Sequence, residues 1–325
     1  MTSKLPIGVV GVGALGRHHA RHLANIEEAD LVGVFDIDPE VSRAVAQEVG
    51  TTARSSLDDL LGRVRAVSIA VPTPEHLSVG LEALGRGIPV LMEKPLAGTL
   101  EDADQLVAAA AEAGVQLQVG HIERFNRSLR AAEPYLDSPL YLEAHRVAPF
   151  QPRGTDVAVV LDLMIHDLDL MLHLTGGAKA IDVRASGVAV LSQHLDMANA
   201  RVEFDNGAVA MVTASRLAQS RVRRLRLVQS TGYLSLDMAA GTGVFMRLKP
   251  GWRPGIGDNI QDIVDVIPLV APEADALNLE LTSFIHAVQG EREAVITGAE
   301  GRRALALALK VTESVRQAPI QHTPG

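Results

Sequence analysis

The sequence predicts an α/β protein with two domains, a doubly wound parallel sheet followed by an antiparallel meander with helices on one face. Two observations carry this prediction. Short apolar runs alternate with helical stretches up to about residue 120, whereas turn signals separate a series of strands beyond residue 123. Domains commonly contain about 100–200 residues, so the 325 residues of the chain fit two of them. We expect a first domain over 1–122 and a second over 123–325.

The composition excludes several classes of function. The chain has no cysteine, 3% aromatic residues and a formal charge of -9. Without cysteine there is no disulfide, no Cys-ligated zinc, no iron–sulfur cluster and no thiol nucleophile. The acidic balance and the few aromatic side chains argue against nucleic acid as a partner. No apolar run reaches the about 18 residues of a membrane span, so we expect a cytoplasmic protein without a membrane partner.

The first domain is predicted from its buried strands and from the residues that bound its helices. The strands are expected at 7–10, 31–35, 66–71, 89–92 and 115–119. Thr73 can cap a helix that has Pro74 at its first position, and Thr99 opens an alanine-rich helix that stops at Gly114. Strands that alternate with helices in this way indicate a parallel sheet covered on both faces.

A glycine-rich turn follows the first strand. Gly11, Gly13 and Gly16 stand between a strand and a helix, the context in which this spacing binds a dinucleotide pyrophosphate. The first glycine permits the tight turn, the second lets the backbone approach the pyrophosphate, and the third lets helix and strand pack closely. Asp36, 20 residues after Gly16, is placed to accept hydrogen bonds from the adenosine ribose and to repel a 2′-phosphate. This predicts NAD rather than NADP; the alternative is a glycine turn without a ligand.

The second domain is predicted to combine a meander of strands with a few long helices. The expected strands are 140–147, 200–204, 208–214, 223–228 and 233–237, and the expected helices are 157–174, 276–288 and 297–316. Asp205-Asn206-Gly207 is a strong hairpin turn, and Thr297 with Glu300 forms a capping box. These signals indicate an antiparallel sheet with helices on one face.

The helix expected over 157–174 carries a stripe of ionisable side chains. At about 100° per residue, four of them lie within about 60° of one another: Asp162, His166, Asp169 and His173. The rest of this helix is mostly apolar, so the stripe must meet other polar groups or a wet pocket. One alternative is a satisfied hydrogen-bond network between the domains, which suits Asp169 and His173 better. A metal site is disfavoured, because the two histidines are seven residues apart rather than four.

Two further groups of charged residues are candidates for ligand contacts. Lys94 ends a parallel strand, and the carboxyl ends of such strands line the ligand crevice; the alternative is a surface salt bridge to Glu93. Five arginines form a basic cluster in an otherwise acidic chain: Arg216, Arg221, Arg223, Arg224 and Arg226. They would suit an anionic substrate, whereas the alternative is that strand arginines alternate onto a solvated or dimer face.

Together these motifs resemble the Gfo/Idh/MocA family of oxidoreductases. The resemblance rests on the glycine fingerprint and on Pro72-Thr73-Pro74 with His76, Glu93-Lys94-Pro95-Leu96-Ala97, Gly120-His121, Arg124-Phe125-Asn126 and the pair Asp162 and His166. It implies a Rossmann domain followed by an α/β domain with a large open, mainly antiparallel sheet. That sheet often packs against a second subunit in the family, so a homodimer or homotetramer is expected.

The resemblance also implies the reaction and the site residues. Members usually transfer hydride between a sugar or cyclitol carbon and NAD or NADP. The family's catalytic trio corresponds to Lys94, Asp162 and His166, with His166 taken as the base, and no metal is implied. The cofactor residues implied are Gly11, Val12, Gly13, Ala14, Leu15, Asp36, Pro72, Thr73, His76, Glu93 and Lys94. The substrate residues implied are His121, Arg124, Asp162, His166 and Arg216.

The substrate is narrowed further by a resemblance to one bacterial and archaeal subgroup. The stretches 120–126 and 160–167 are most similar to members that oxidise C3 of UDP-N-acetylglucosamine, so a nucleotide sugar is expected. Two alternatives stay open: a dehydrogenase of a free sugar or inositol, and a non-catalytic NAD-binding regulator on the same scaffold. The presence of all three catalytic residue types favours the enzyme, since a pure binder has no need of them.

Overall fold

The computed structural model describes residues 4–151, 157–253, 255 and 259–317. Its strands are β1 (Leu5–Val10), β2 (Ala29–Phe35), β3 (Ala66–Ile69), β4 (Val90–Glu93), β5 (Leu117–Gly120), β6 (Tyr141–Val147), β7 (Ala180–Val188), β8 (Met197–Phe204), β9 (Val209–Ser215), β10 (Val222–Gln229), β11 (Gly232–Asp237), β12 (Thr242–Leu248) and β13 (Val264–Leu269). Its α-helices are α1 (Gly16–Leu23), α2 (Pro39–Val49), α3 (Leu57–Leu61), α4 (His76–Leu84), α5 (Leu100–Ala113), α6 (Arg127–Ala132), α7 (Ile165–Leu174), α8 (Ile260–Ile263), α9 (Ala276–Val288) and α10 (Gly298–Gln317).

The chain forms two compact units. The first contains residues up to Ile122 together with Ala274–Leu305, and the second contains Glu123–Glu273 and the chain from Ala306 onward. The sequence predicts that all of 123–325 belongs to the second domain. The structure instead returns 274–305 to the first unit, because the apolar face of α9 completes the core of that unit.

The first unit is a parallel sheet, as predicted. Its strand order is β2-β1-β3-β4-β5, and every neighbouring pair is parallel. The chain passes from β1 to β2 on one side and then to β3 on the other, so the order reverses beside β1. In open α/β sheets such a reversal leaves a crevice at the carboxyl ends of the strands, and the glycine turn follows β1 at that end.

Packing in the core of the first unit explains why α9 belongs to that unit. Leu281, Phe284 and Ile285 of α9 are fully buried and share one apolar cluster with Ala20 and Leu23 of α1. Fully burying such aliphatic and aromatic side chains contributes about 1.5–3 kcal/mol each. The three lie at i, i+3 and i+4, the helical spacing that presents one face to a core.

The second unit is built on an eight-stranded sheet, in agreement with the large, mainly antiparallel sheet that was predicted. Its order is β13-β12-β11-β10-β6-β9-β8-β7, and β6 with β9 is its one parallel pair among the described strands. Along β6, Leu142, Ala144 and Arg146 are buried on the face that carries the helices, and Glu143 and His145 alternate onto the open face. The sheet therefore has one covered and one open face.

Three strands of this sheet were not predicted individually. The segments β7, β12 and β13 carry glycine, proline or charges that break the alternation of apolar and polar residues. Two of them, β7 and β13, are edge strands, where a residue such as Pro268 is tolerated because half of the backbone groups need no partner strand. Within the described part of the chain, none of the helices has the length and apolar character to cross a membrane.

Candidate active site

The turn after β1 has the three properties expected of its glycines. Gly11 has φ +77°, a left-handed value that favours glycine. A Cβ on Gly16 would lie 1.8 Å from the carbonyl oxygen of Gly11, so helix α1 packs against the turn without room for a side chain. A Cβ on Gly13 would meet nothing within 4 Å, which leaves its backbone open to a ligand. Ala14 and Leu15 are exposed in the same turn.

Asp36 stands directly beside this turn. Its Oδ2 accepts a hydrogen bond of 2.8 Å from the backbone N–H of Val12, and its Oδ1 accepts one of 3.0 Å from the N–H of Asp38. These two bonds fix the carboxylate between the glycine turn and the start of α2. Each carboxylate oxygen has a second lone pair, which can accept from a ribose hydroxyl. The role predicted for Asp36 is compatible with this geometry.

Glu93, one residue before Lys94, is held by a buried histidine. Its Oε1 lies 2.9 Å from Nε2 of His19, whose Nδ1 lies 2.8 Å from Oγ of Ser68. Its Oε2 accepts the backbone N–H of Lys94 at 3.1 Å. Burial opposes ionisation of Glu93, but the hydrogen bond from His19 and the charge of Lys94 outweigh it and hold the pKa of Glu93 below its usual range. The Lys94–Pro95 peptide is cis.

His76 connects two of the strand ends in the first unit. Its Nδ1 lies 3.0 Å from the carbonyl oxygen of Pro95 and its Nε2 lies 3.0 Å from that of Val71. Burial is the main cause that lowers the pKa of His76. The ring is only 1% exposed, so it holds the segment after Lys94 to the end of β3. Its predicted contact with the cofactor stays a prediction.

Three other predicted residues of the first unit lie at the carboxyl ends of its strands. Pro72 is exposed and Thr73 is half-buried in the turn that follows β3. His121 follows β5 directly and is 1% exposed. The sheet order places both strand ends at the same edge, where ligands of parallel sheets bind.

In the second unit, Asp162 lies in a π-helical turn, Val160–Met164, that continues directly into α7. Such turns occur frequently at functional sites. His166 follows Asp162 by four residues, and its side-chain Nδ1 is buried. Asp162 lines a pocket of about 160 Å³ whose other charged side chains are Arg146, Arg216, Arg221 and Arg223. The structure thus brings a predicted catalytic carboxylate together with part of the basic cluster.

Arg216 lies close to Asp162 on the wall of the same pocket. Its Nη2 donates to the carbonyl oxygen of Val157 at 2.8 Å and lies 3.8 Å from Oδ2 of Asp162. Its Nε lies 3.9 Å from Oδ1 of Asp196, a fully buried carboxylate whose Oδ2 accepts backbone N–H groups of Val190 and Leu191. The guanidinium is therefore fixed by groups of the protein. Its predicted contact with substrate stays a prediction.

Two buried ion pairs hold α7, and neither pairing was predicted from the sequence. Arg124 binds Asp169 through two hydrogen bonds of 2.8 and 2.7 Å, so Asp169 belongs to a satisfied network within the second unit. Arg146 binds Asp167 through bonds of 2.8 and 2.9 Å and also donates to Glu123 at 2.7 Å. Asp167 lies outside the polar stripe that the helical period predicts. Its partner, on β6, follows from the packing of sheet and helix, for which the sequence carries no local signal.

The arginine cluster divides between the two faces of the sheet. Arg223 faces the covered side, like the buried Leu225, and lies opposite Arg146 in the register of β10 with β6. Arg224 and Arg226 alternate onto the open face, where Arg226 donates to Glu143 at 3.3 Å. Some members of the cluster therefore line a positively charged pocket, and others lie on the open sheet face.

Comparison with known proteins identifies the family. Residues 5–121 match the oxidoreductase family with an NAD-binding Rossmann fold, and residues 136–235 match the GFO/IDH/MocA C-terminal domain. The chain belongs to the Gfo/Idh/MocA oxidoreductase family. It is 41% identical over 309 residues to UDP-N-acetylglucosamine 3-dehydrogenase of Acidithiobacillus ferrooxidans, which covers 95% of this chain and 96% of that protein.

A solved structure is similar over most of the chain, and another relative is similar over about half of it. A crystal structure of that same A. ferrooxidans enzyme has a TM-score of 0.89 at 40% identity and covers 96% of this chain and 97% of its own. Inositol 2-dehydrogenase of Burkholderia cenocepacia is 35% identical over 184 residues, which is 53% of this chain and 55% of that protein. This Gfo/Idh/MocA member is therefore an oxidoreductase with an NAD-binding domain, and the similarity to the first relative extends through both of its units.

Proposed function

We propose that this Gfo/Idh/MocA oxidoreductase is an NAD-dependent dehydrogenase that oxidises a secondary hydroxyl of a nucleotide sugar, with C3 of UDP-N-acetylglucosamine as the reacting carbon. The observation that carries the proposal is Asp162 on the wall of an arginine-lined pocket, with His166 four residues further along the same helical segment. The similarity to the A. ferrooxidans enzyme over 95% of the chain supports the choice of substrate.

The first unit has the residues that NAD requires. The open backbone at Gly13 and the N–H groups at the start of α1 would receive the pyrophosphate, and Asp36 would accept from the adenosine ribose. Val12 supports this arrangement because its N–H fixes the Asp36 carboxylate. When bound, NAD supplies the acceptor for the hydride that leaves the sugar carbon.

The residues of this chain handle the proton and the charge on oxygen. His166 takes the hydroxyl proton, since a neutral imidazole is the side chain best matched to this task near neutral pH. Asp162, one helical turn earlier, orients the imidazole or binds the substrate hydroxyl. Lys94 donates a hydrogen bond to the reacting oxygen and stabilises the negative charge that develops there.

The test is a substrate panel with the purified full-length protein and NAD. We expect NADH formation with UDP-N-acetylglucosamine, and little or none with N-acetylglucosamine or inositol. His166→Asn should lower kcat by about 10²–10⁴-fold while NAD binding is kept. Turnover of inositol but not of the nucleotide sugar would favour the inositol dehydrogenase alternative. The non-catalytic regulator would be favoured if the protein bound NAD but oxidised no member of the panel. In that case NAD binding should also be the same in Lys94→Ala as in the wild type.

We also propose that the open face of the eight-stranded sheet binds a second copy of the chain. The register aligns one apolar row across neighbouring strands: Val266, Met246, Tyr233, Val228, Tyr141 and Val209. Tyr141 and Val228 are each 41% exposed, and Val266 is 60% exposed. A contiguous apolar row of this kind is typical of a protein–protein contact. The cytoplasmic location predicted from the sequence stays a prediction.

A further inference from the structure

The pocket that contains Asp162 presents more guanidinium groups than carboxylates. Four arginines and one aspartate line its wall, whereas three further acids that pair with these arginines are not part of the lining: Glu123, Asp167 and Asp196. The side chains of Glu123 and Asp167 are 6% and 7% exposed, and Asp196 is fully buried. A ligand that enters the pocket therefore meets the positive ends of the ion pairs first.

Two of the four arginines are committed to groups of the protein. Arg146 makes two hydrogen bonds to Asp167 and one to Glu123, and its side chain is 4% exposed. Arg216 donates to the Val157 carbonyl and lies near two carboxylates, with a side chain that is 6% exposed. These two shape the wall and are poorly placed to turn towards a ligand.

The guanidinium groups of the other two arginines have N–H donors that can bind an anion. Arg223 donates at 3.2 Å to Oε1 of Glu123, the same oxygen that Arg146 already binds at 2.7 Å, and its side chain is 37% exposed. Arg221 is exposed, and its guanidinium has no hydrogen bond or ion pair with any residue in the described ranges. Neither arginine is neutralised by a carboxylate of its own.

Crowding of like charges at this point is a second sign of an anion site. Burial lowers the pKa of Arg223, and the neighbouring charges of Arg146 and Arg221 lower it further against the pull of Glu123. An anion between Arg221 and Arg223 would relieve this repulsion. The guanidinium fork is also the group that binds phosphate oxygens with two parallel hydrogen bonds.

The backbone under Arg223 is rigidly placed. Arg223 belongs to β10, which pairs with β6 on one side and with β11 on the other. Arg221 lies two residues earlier, immediately before this strand. A site built at the end of a central strand is better pre-organised than one on a free loop, so less conformational entropy is lost when the ligand binds.

We infer that Arg221 and Arg223 form a subsite for a phosphate group of the substrate, beside Asp162. This inference rests on the proposed function and names the chemical class of its substrate: a sugar that bears a phosphate or diphosphate close to the hydroxyl that is oxidised. It also gives the pocket a basis for rejecting uncharged sugars and cyclitols, which would leave both guanidinium groups without a counter-charge.

The test compares Arg221→Gln and Arg223→Gln with a matched control, Arg184→Gln. Arg184 is an exposed arginine on β7, four strands away from β10 in the sheet, and it pairs only with the exposed Asp182 among the described residues. Each subsite variant should raise the KM for UDP-N-acetylglucosamine about tenfold or more, the effect of one lost hydrogen bond to a charged group. The KM for NAD should be unchanged, and the control should behave like the wild type.

A second measurement does not depend on the choice of substrate. Inorganic diphosphate and UDP should bind the wild-type protein in the presence of NAD, as followed by calorimetry, and Arg221→Gln should weaken both about tenfold or more. Arg221→Gln should keep the wild-type melting temperature, since its side chain is exposed and makes no bond within the described part of the protein. It therefore tests the subsite even if Arg223→Gln fails to fold through the loss of its bond to Glu123.

The outcomes separate the subsite from the proposed function. If UDP-N-acetylglucosamine is oxidised and its KM is unchanged in both folded variants, the subsite is wrong and the function stands. If the protein turns over only uncharged sugars but Arg221→Gln still weakens diphosphate binding, the proposed function is wrong, and the two arginines bind an anion that is not part of the substrate. Wild-type protein that binds neither diphosphate nor UDP would overturn the subsite directly.

Discussion

A Cβ atom on Gly16 would lie 1.8 Å from the carbonyl oxygen of Gly11. The obstructing oxygen belongs to the backbone, so it cannot move aside by a change of side-chain rotamer. Gly13, between these two in sequence, has open space in the corresponding direction, with nothing within 4 Å. Two glycines of one fingerprint are thus required for different reasons: one for packing of the protein against itself, the other for the approach of a ligand.

The first prediction uses this difference. Gly16→Ala should lower the free energy of unfolding by about 3 kcal/mol, because overpacking against a fixed backbone costs at the upper end of the usual range. Gly13→Ala should change that free energy by less than about 1 kcal/mol but raise the Kd for NAD at least about tenfold, since the added methyl fills the path of the pyrophosphate. Urea titration and calorimetry measure the two quantities. Equal stability of the two variants would contradict the roles assigned to these glycines.

The second prediction concerns the choice between NAD and NADP. The Asp36 carboxylate is fixed by the N–H groups of Val12 and Asp38, so its charge stands beside the position expected for the adenosine ribose. Asp36→Ala should weaken NAD binding and reduce the preference for NAD over NADP about tenfold, because a 2′-phosphate would no longer meet a negative charge. Kd values for both dinucleotides test this. Tighter binding of NADP than NAD by the wild type would show that Asp36 does not discriminate.

The third prediction concerns the ion pair of Arg124 with Asp169, in which both side chains are almost fully buried. Asp169→Asn should lower the free energy of unfolding by about 3–5 kcal/mol, because it breaks a buried ion pair that is joined by two hydrogen bonds. Replacing both residues by apolar ones, as in Arg124→Met with Asp169→Leu, should recover much of that loss. Denaturant unfolding of the single and double variants makes the comparison. A single variant within about 1 kcal/mol of the wild type would mean that the pair is weakly coupled.

Features of the fold and of the candidate site could be predicted from the sequence where residues close together in the chain determine them. The parallel sheet and its glycine turn follow from short apolar runs and from glycines at fixed spacing, so both were predicted before the structure. Asp162 was predicted as a candidate because the helical period aligns it with His166 in the sequence. The pairing of Arg146 with Asp167 depends on which strand lies against α7, and the place of α9 in the first unit depends on its packing with apolar residues far away in the sequence. Neither contact is encoded within a few residues.

The fourth prediction tests the open sheet face. Val228 lies in the apolar row of that face and is 41% exposed. Val228→Glu should dissociate a homo-oligomer into monomers, because burying a carboxylate within an apolar contact costs several kcal/mol. Analytical ultracentrifugation measures the mass. Ile181→Glu, an exposed substitution on the edge strand β7, is the matched control. A wild type that sediments as a monomer would contradict the proposed assembly.

The last prediction follows from the network around Glu123. Its carboxylate accepts hydrogen bonds from Arg146, Arg223 and Asn126 at 2.7, 3.2 and 2.9 Å. Burial alone would raise the pKa of Glu123, but the charges of Arg146 and Arg223 outweigh it and hold the pKa below the usual value of about 4.3. A carboxylate with a depressed pKa adds stability at pH values above about 4.3, and that contribution is lost as the pH falls through the lowered pKa.

Glu123→Gln removes this carboxylate and therefore the proton that it takes up on unfolding in acid. At pH 7 we expect the wild type to be more stable than the variant by about 2–3 kcal/mol, the contribution of hydrogen bonds between charged groups. The difference should narrow as the pH falls from about 4.3 through the lowered pKa, since the unfolded chain takes up the proton first and the folded carboxylate takes it up only at lower pH. Urea titrations from pH 7 to about pH 3 measure it. A difference that widens in acid would mean that burial dominates and that the pKa of Glu123 is raised.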